Sequence, residues 1–510
     1  MEMSQRRKLG EITSYEGEGG CGENESGIDR FSDLPDHVAH HILSFLALPD
    51  LSRVCCVSKR CGELCIFAPS LNFDEFPSDA MSTCGGRLNL LTYLERFLFH
   101  RGDNKIQSFR VRWERHYMDE DATPCICDNE HYRLSTWIQN AVWCNVEVLD
   151  LKMNLYDTEL MCLPSCGFLC AHLRSLVVDM TIAVIKTPSS AFSSNLKYLE
   201  LRNVYIEDDD FFKWISHSCK CIEDLHLGQL HGVERITLLR PSLKRFSFIC
   251  GSLDHMMSHI SISSEKLVDL QICWTFDSPS NKSLNMDAPN LKCFKWIGNL
   301  MKYLNLGKLE CLKTAAVCLV PEEDDLDKVH EFLWSLHRAP SLMLNEVAIK
   351  GNLNCWTKYD SKPEFTTLQA SFRDASVPAS LYDTSYLSLN IKSFPDDLVP
   401  ALVCVLRRTP KLSLLCIQSE PPQDPQSNTF GYNMEYWKLQ DLAFTNQLKH
   451  AIIELCRGSN GIEFAKYVLK YAPNMLRMVV ICLPVDLKEV TTKLKKIRRI
   501  SNAALVIQKK

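Results

Sequence analysis

No apolar stretch in this chain is long enough to cross a membrane: the best run, Met478–Val485, is short and broken by Pro484, whereas a span needs about 18 residues. Arg6, Arg7 and Lys8 are followed by the polar segment "EITSYEGEGGCGENESG" rather than an apolar core, so no secretory leader is expected. Basic charge is not in excess either, since the formal net charge is -5. That excludes a surface globally built for nucleic acid. None of the 24 cysteines forms a Cys-x-x-Cys pair, which removes the tight ligand pairs of structural zinc sites. The nearest approach, Cys162, Cys166 and Cys170, has three residues in each gap, and free thiols serving as small hydrophobes in a reducing compartment are the better reading. No P-loop, dinucleotide glycine fingerprint, zincin helix or serine nucleophile elbow occurs. His116 and His131 lie near cysteines in the sequence without composing a triad, and the acidic runs at 207–210 and 321–327 lack the alternation and glycine of a calcium loop. No catalytic residue, metal or cofactor is therefore expected.

What remains is an ordinary soluble composition, 46% hydrophobic and 23% charged, spread over 510 residues. A chain of that length exceeds one compact core, so two to four domains or an elongated repeat array are expected. Residues 1–29 are polar and glycine-rich, with too little apolar surface to offset the entropy of ordering them, and are expected to be a disordered tail. Leu34 and Pro35 then open a helix, with Ser32 or Asp33 as candidate caps and Asp36 at its positive end. Val38, Ile42, Phe45 and Leu46 recur at spacings of three and four, and Leu43 widens the stripe. Leu48 and Pro49 are expected to end this helix, Asp50 to cap a second with Leu51, Val54 and Val57, and Ser58 to begin a third. Three helices of two turns bury too little to stand alone. They need a partner surface, either another polypeptide or the body of their own chain.

These residues carry a resemblance. "DLPDHVAHHILSFL", "LSRVCCVSKRCGELC" and "PSLNFDEF" resemble the F-box of plant F-box proteins, over residues 30–76. The resemblance implies docking on a Skp-type adaptor, and through it a cullin, with contacts carried over to Leu34, Pro35, Ile42, Leu43, Phe45, Leu46 and Val54. Cys61 and Cys65 stand where relatives usually have tryptophans, so the third helix loses aromatic area.

Beyond it a six-residue pattern, apolar-x-x-apolar-x-apolar, recurs from Val146, Leu173, Leu196, Ile222, Leu243, Leu267 and Leu291, at intervals of 27, 23, 26, 21, 24 and 24 residues. That is a leucine-rich-repeat period, in which each unit supplies one short strand and stacking makes the core. The expected fold is α/β: a three-helix F-box, a horseshoe of short parallel strands with outer helices over 77–420, most regular at 146–297, a loop at 421–440, and a C-terminal segment. A helix containing "STWIQNAVWCN" should close the stack before Val146. Farther on, helix-period segments ending at Pro340, Pro410 and Pro473 are each followed by an apolar run, so the array continues irregularly as helix then strand. Between the last two apolar positions of each strand one side chain should point away from the core. These are Asp150, Val177, Glu200, His226, Ser247, Gln271 and Lys295, a mixed row that suits a protein epitope better than a phosphate backbone. "KLKKIRR" at 493–499 is read as the solvated side of a helix whose other side carries Leu487, Val490, Leu494 and Ile497.

Residues 441–510 resemble the FBD domain found at the C-terminus of many plant F-box/leucine-rich-repeat proteins. This order of modules implies a non-catalytic substrate receptor of a Skp-cullin-F-box ubiquitin ligase, cytoplasmic or nuclear, holding an unidentified target protein. A repeat scaffold that recruits no ligase is the alternative, and neither nucleic acid nor membrane is an expected partner.

Overall fold

The computed structural model describes residues 31, 33–74, 76, 81–114, 130–154, 161–163, 166–188, 195–240, 242–251, 256–320, 326–350, 381–419, 431–455, 459–498 and 503–510. The expected tail, residues 421–430 of the expected loop at 421–440, and His116 lie outside them, while the remainder of that loop carries the helix Met434–Leu439. The chain begins with three eight-residue helices, α1 (Asp36–Leu43), α2 (Leu48–Cys55) and α3 (Lys59–Ile66). Pro35 occupies the N-cap of α1 without any side-chain cap. Pro49 does not end that helix but sits in the first turn of α2, where a missing N–H costs nothing. Ser58 caps α3 as expected, its hydroxyl accepting from Cys61 N at 3.0 Å.

The body is a 17-stranded sheet whose described strand pairs are all parallel. Excepting the short strand Met161–Cys162, which pairs beside Ser175–Ile185, successive strands of this sheet are spatial neighbours. The array is longer than the hexamers from Val146 to Leu291 imply. Ser70–Phe73 and Ser108–Glu114 precede Val148–Asn154 in the same sheet, so the helix Glu130–Trp143 does not close the stack. These strands obey the same rule with weaker letters: Ala68, Leu71 and Phe73, then Ile106, Phe109 and Val111, are all buried. After Cys293–Gly298 the rule continues through Leu312, Ala315 and Val317, through Leu412, Leu415 and Ile417, and through Met475, Met478 and Val480. The helix-then-strand units are present: Leu326–Ser335 before Ser341–Asn345, Leu398–Arg407 before Leu414–Ser419, and Ser459–Tyr471 before Arg477–Cys482. Strands His450–Leu455, Arg477–Cys482 and Ala504–Lys509, from the FBD-like region, extend the same sheet.

The outer layer changes along the array. Helices cover it at both ends, but in the middle a second parallel sheet of Arg235–Leu239, His259–Ser263, Ser283–Asp287 and Tyr303–Asn305 takes their place. Those segments alternate with period two, burying Ile236 and Leu238, Ile260 and Ile262, Leu284 and Met286. They are too short for a helical face. Gly298 sits where one inner strand ends, at φ 131°, and a Cβ there would lie 1.8 Å from Trp274 O. Only glycine tolerates that approach.

Two polar locks hold the ends. Near the N-terminal end the buried Arg87 bonds Glu130 twice, Nε to Oε1 at 2.8 Å and Nη2 to Oε2 at 2.5 Å, and donates to Glu114 O at 2.8 Å. Trp113 Nε1 donates to the same Glu130 Oε2 at 2.7 Å, and the guanidinium lies 4.8 Å from the Trp113 ring centroid. Near the C-terminal end the buried amide of Asn460 accepts from Tyr432 N at 2.6 Å and donates to Phe394 O at 3.0 Å and Asp396 Oδ1 at 2.7 Å. Trp437 packs against Phe464 and Tyr467 beside it.

Candidate functional site

The three front helices bury one face and present the other. Ala39, Leu43, Leu48, Leu51, Leu64 and Cys65 join the common core, with Leu34, Leu46 and Val54 partly buried against it. Ile42 is 41% exposed, Phe45 74%, and Pro35 is exposed as well. Of the residues carried over as adaptor contacts, Leu43 is therefore a correction: at 1% exposure it points inward, because it lies on the same side of α1 as Ala39, one turn earlier. Leu34, Leu46 and Val54 are half-buried. Cys61 and Cys65 are both buried, and Cys65 Sγ donates to Leu51 O at 3.5 Å. Burial pushes the Cys65 thiol up, so it stays protonated. Asp36 pairs with Arg60, tying the start of α1 to α3, and that bond holds its carboxyl below the usual range.

The helices are not hung on a tether. α3 leads directly into Ser70–Phe73, the first strand of the large sheet, so it also serves as the first outer helix of the array. Buried Arg101, at the end of helix Cys84–Arg101, clamps the junction: Nη1 donates to Ile66 O at 2.7 Å and Ala68 O at 2.6 Å, and Nη2 to Lys105 O at 2.7 Å. Two of these carbonyls lie at or just past the end of α3, where no helical donor remains.

On the sheet, the seven outward residues are brought into one row. Asp150 is register partner to Val177, Val177 to Glu200, Glu200 to His226, His226 to Ser247, Ser247 to Gln271, and Gln271 to Lys295. All but Lys295 are half-buried. The register carries the row to Arg110 and Asn72 on one side, and to Ala316, Met343, Ser388, Cys416, Ile452, Val479 and Val506 on the other. Sequence reasoning missed most of these because Ala68, Ala315, Ala339, Thr384, Ala451 or Met475 stands at a buried position where the pattern looks for a large aliphatic residue.

The two acidic side chains of the row, Asp150 and Glu200, each have a basic neighbour on their own strand, and Asp224, two residues before the row's His226, is paired as well. Glu200 accepts from Tyr198 at 2.5 Å and meets Arg202 Nε at 2.6 Å, while Asp224 meets Arg245 at 2.6 Å. Asp150 is 3.6 Å from Lys152, yet burial dominates and lifts its carboxyl above the usual range. Burial likewise lowers His226, whose ring lies 5.3 Å from that of Tyr198. Such a surface offers shape and preset hydrogen bonds to a polypeptide.

Among the described residues, no group of three or more His, Cys, Asp and Glu side chains could hold a metal ion, and no helix is long and apolar enough to cross a membrane. Cys162 is exposed while Cys170 is buried. Val490 and Leu494 are buried beneath the helix Leu487–Arg498, leaving Lys495 and Lys496 outside.

An F-box helical unit fused to a leucine-rich-repeat sheet is the class that this architecture defines. Residues 31–66 match the family model of the F-box domain, and residues 134–318 match that of the LRR repeats of FBD-associated F-box protein At5g56370. The chain is 23% identical over 477 residues to putative F-box/FBD/LRR-repeat protein At4g03220 of Arabidopsis thaliana, covering 88% of each chain. It is 23% identical over 472 residues to F-box/FBD/LRR-repeat protein At5g22660 of the same plant, covering 87% of this chain and 93% of that one. Putative F-box/LRR-repeat protein At3g49150 is 28% identical over 304 residues, 58% of this chain and 42% of its own. Along most of its length the chain is thus similar to F-box/FBD/LRR-repeat proteins of this plant.

Proposed function

We propose that this protein is the target-binding subunit of a Skp-cullin-F-box ubiquitin ligase, itself without catalytic residues. The observation that carries the reading is the outward pair Ile42, on α1, and Phe45, just past its C-cap Ser44, large apolar side chains left uncovered while Ala39 and Leu43 on the other side of the helix are packed. Exposed apolar area on so small a helical unit fits a protein partner. Pro35 and the half-buried Leu34, Leu46 and Val54 complete the candidate contact set. The outward row of the sheet is the candidate target surface, from Asp150 to Lys295. Holding a target beside a ubiquitin-charged enzyme raises its effective concentration without any reacting group on this chain.

Converting Ile42 and Phe45 together to alanine tests this. Binding of a Skp-type adaptor to the full chain is expected to fall at least tenfold, since buried interface anchors are each worth roughly 2 kcal/mol or more, while the melting temperature stays within a degree or two. Wild-type and mutant chains that both fail to bind any adaptor would instead favour a scaffold that recruits no ligase.

A further inference from the structure

We propose that the open edge of the strand Ala504–Lys509 accepts an extended, acidic segment of a partner polypeptide as one further strand of the large sheet. On one side this strand pairs with Arg477–Cys482; among the described residues nothing pairs with its other side. The phase of the ladder fixes which backbone groups are left over. Ala504 N donates to Leu476 O at 2.9 Å and Lys510 N to Cys482 O at 3.1 Å, so the even-numbered residues turn their backbone groups toward Arg477–Cys482. Alternate residues of a parallel strand bond in opposite directions. The N–H and C=O of Leu505, Ile507 and Lys509 therefore face the open edge, a row that serves as a template for another strand.

The core face is unfinished at the same place. Leu505 and Ile507 stand in register with Met478 and Val480, which are fully buried, yet both stay half-exposed. At the opposite edge of the sheet Leu71 and Phe73 are fully buried, and α2 packs against their strand. A stacked array needs such a cover at each end. Charge then names the occupant. Lys488, Lys495 and Lys496 are exposed on the helix Leu487–Arg498, which packs on this strand; Arg477 is exposed on the neighbouring strand and Lys509 on the edge itself. None of these five has an ion pair among the described residues. Within residues 476–498 and 503–510 the acids are Asp486 and Glu489, and Glu489 is already held by Lys493. Two copies of this chain joined edge to edge would set two such cationic ends against each other, whereas an acidic strand complements them.

The test uses the full chain and two end-blocked synthetic peptides, one alternating valine with glutamate and one alternating valine with lysine. In the free chain, alternate amides of 503–510 should exchange fast with solvent. Millimolar valine–glutamate peptide should slow them, and the valine–lysine peptide should bind at least tenfold more weakly. Ile507→Pro deletes an outward N–H without touching the ladder to Arg477–Cys482, and should weaken binding at least tenfold with the melting temperature unchanged. A readout on the wild-type chain comes from methylating only the valine or only the glutamate amides of the acidic peptide: one form should lose binding and the other keep it. Slow exchange throughout 503–510 in the free chain would mean that the edge is already covered and overturns the inference. So do equal binding of the two peptides, no protection by either, or a dimer of this chain in which the same segment is protected.

Discussion

The two ends of the array solve the same packing problem with different chemistry. Toward the N-terminal end, charge is buried in the outer layer, at Arg87, Glu130 and Arg101, and charge also studs the sheet's outward row, at Arg110, Asp150 and Glu200. Toward the C-terminal end a neutral amide, Asn460, and an aromatic cluster around Trp437 do the corresponding work, and the row runs Ala316, Met343, Ser388, Cys416, Ile452, Val479, Val506 without a charge. Buried ions demand mutual satisfaction, whereas neutral groups forgive partial loss. The N-terminal end should therefore be the more brittle, although it is also the end that carries the F-box.

The largest effect that would sharpen this contrast is Glu130→Ala. It removes both carboxylate bonds of the Arg87 guanidinium and the carboxylate partner of the Trp113 indole N–H together, and should cost about 3–5 kcal/mol in chemical denaturation. Because Arg87 and Glu130 form one unit, adding Arg87→Ala should cost far less than its effect alone, with a coupling of about 0.5–3 kcal/mol. Additive losses would break the claim of a shared network. Next comes Asn460→Ala, which leaves Tyr432 N–H and Phe394 C=O unpaired at the other end; about 1–3 kcal/mol is expected. A loss as large as that of Glu130→Ala would erase the contrast between the ends.

The smallest effect concerns pH. Asp150 has a folded pKa above its unfolded value, so its protonated form is favoured in the folded state and ionisation at neutral pH costs stability. Asp150→Asn should accordingly raise the melting temperature slightly at pH 7. The gain should shrink as pH falls toward the unfolded value near 4, where both states bind the proton. A variant less stable than wild type at pH 7 would mean that the contact with Lys152 outweighs burial.

Much of this molecule could be read from residue order. The hexamers from Val146 to Leu291 name strand faces, and every outward residue inferred from them falls next to its expected neighbour in the register. Leucine made those strands visible. Where Ala68, Ala315 or Met475 fills the same buried position, the pattern survives physically but fades as a signal, so the array looks shorter and less regular than it is. The outer sheet was hidden for another reason: segments such as "RITLL" and "HISIS" are too short to announce a period, and only stacking against equal neighbours makes them strands. Leu43 shows the limit on the site side. A stripe at spacings of three and four identifies an apolar helix but not which flank of it the rest of the chain will cover.

The double membership of α3 has a mechanical consequence. A cargo resting on the strands and a subunit gripping the helices would share one continuous frame with no swivel between them, pinned by a single guanidinium at Arg101. The bearing at which cargo faces the rest of an assembly would then be written into the chain's own curvature, and inserting or deleting one repeat would turn that bearing rather than merely lengthen the reach.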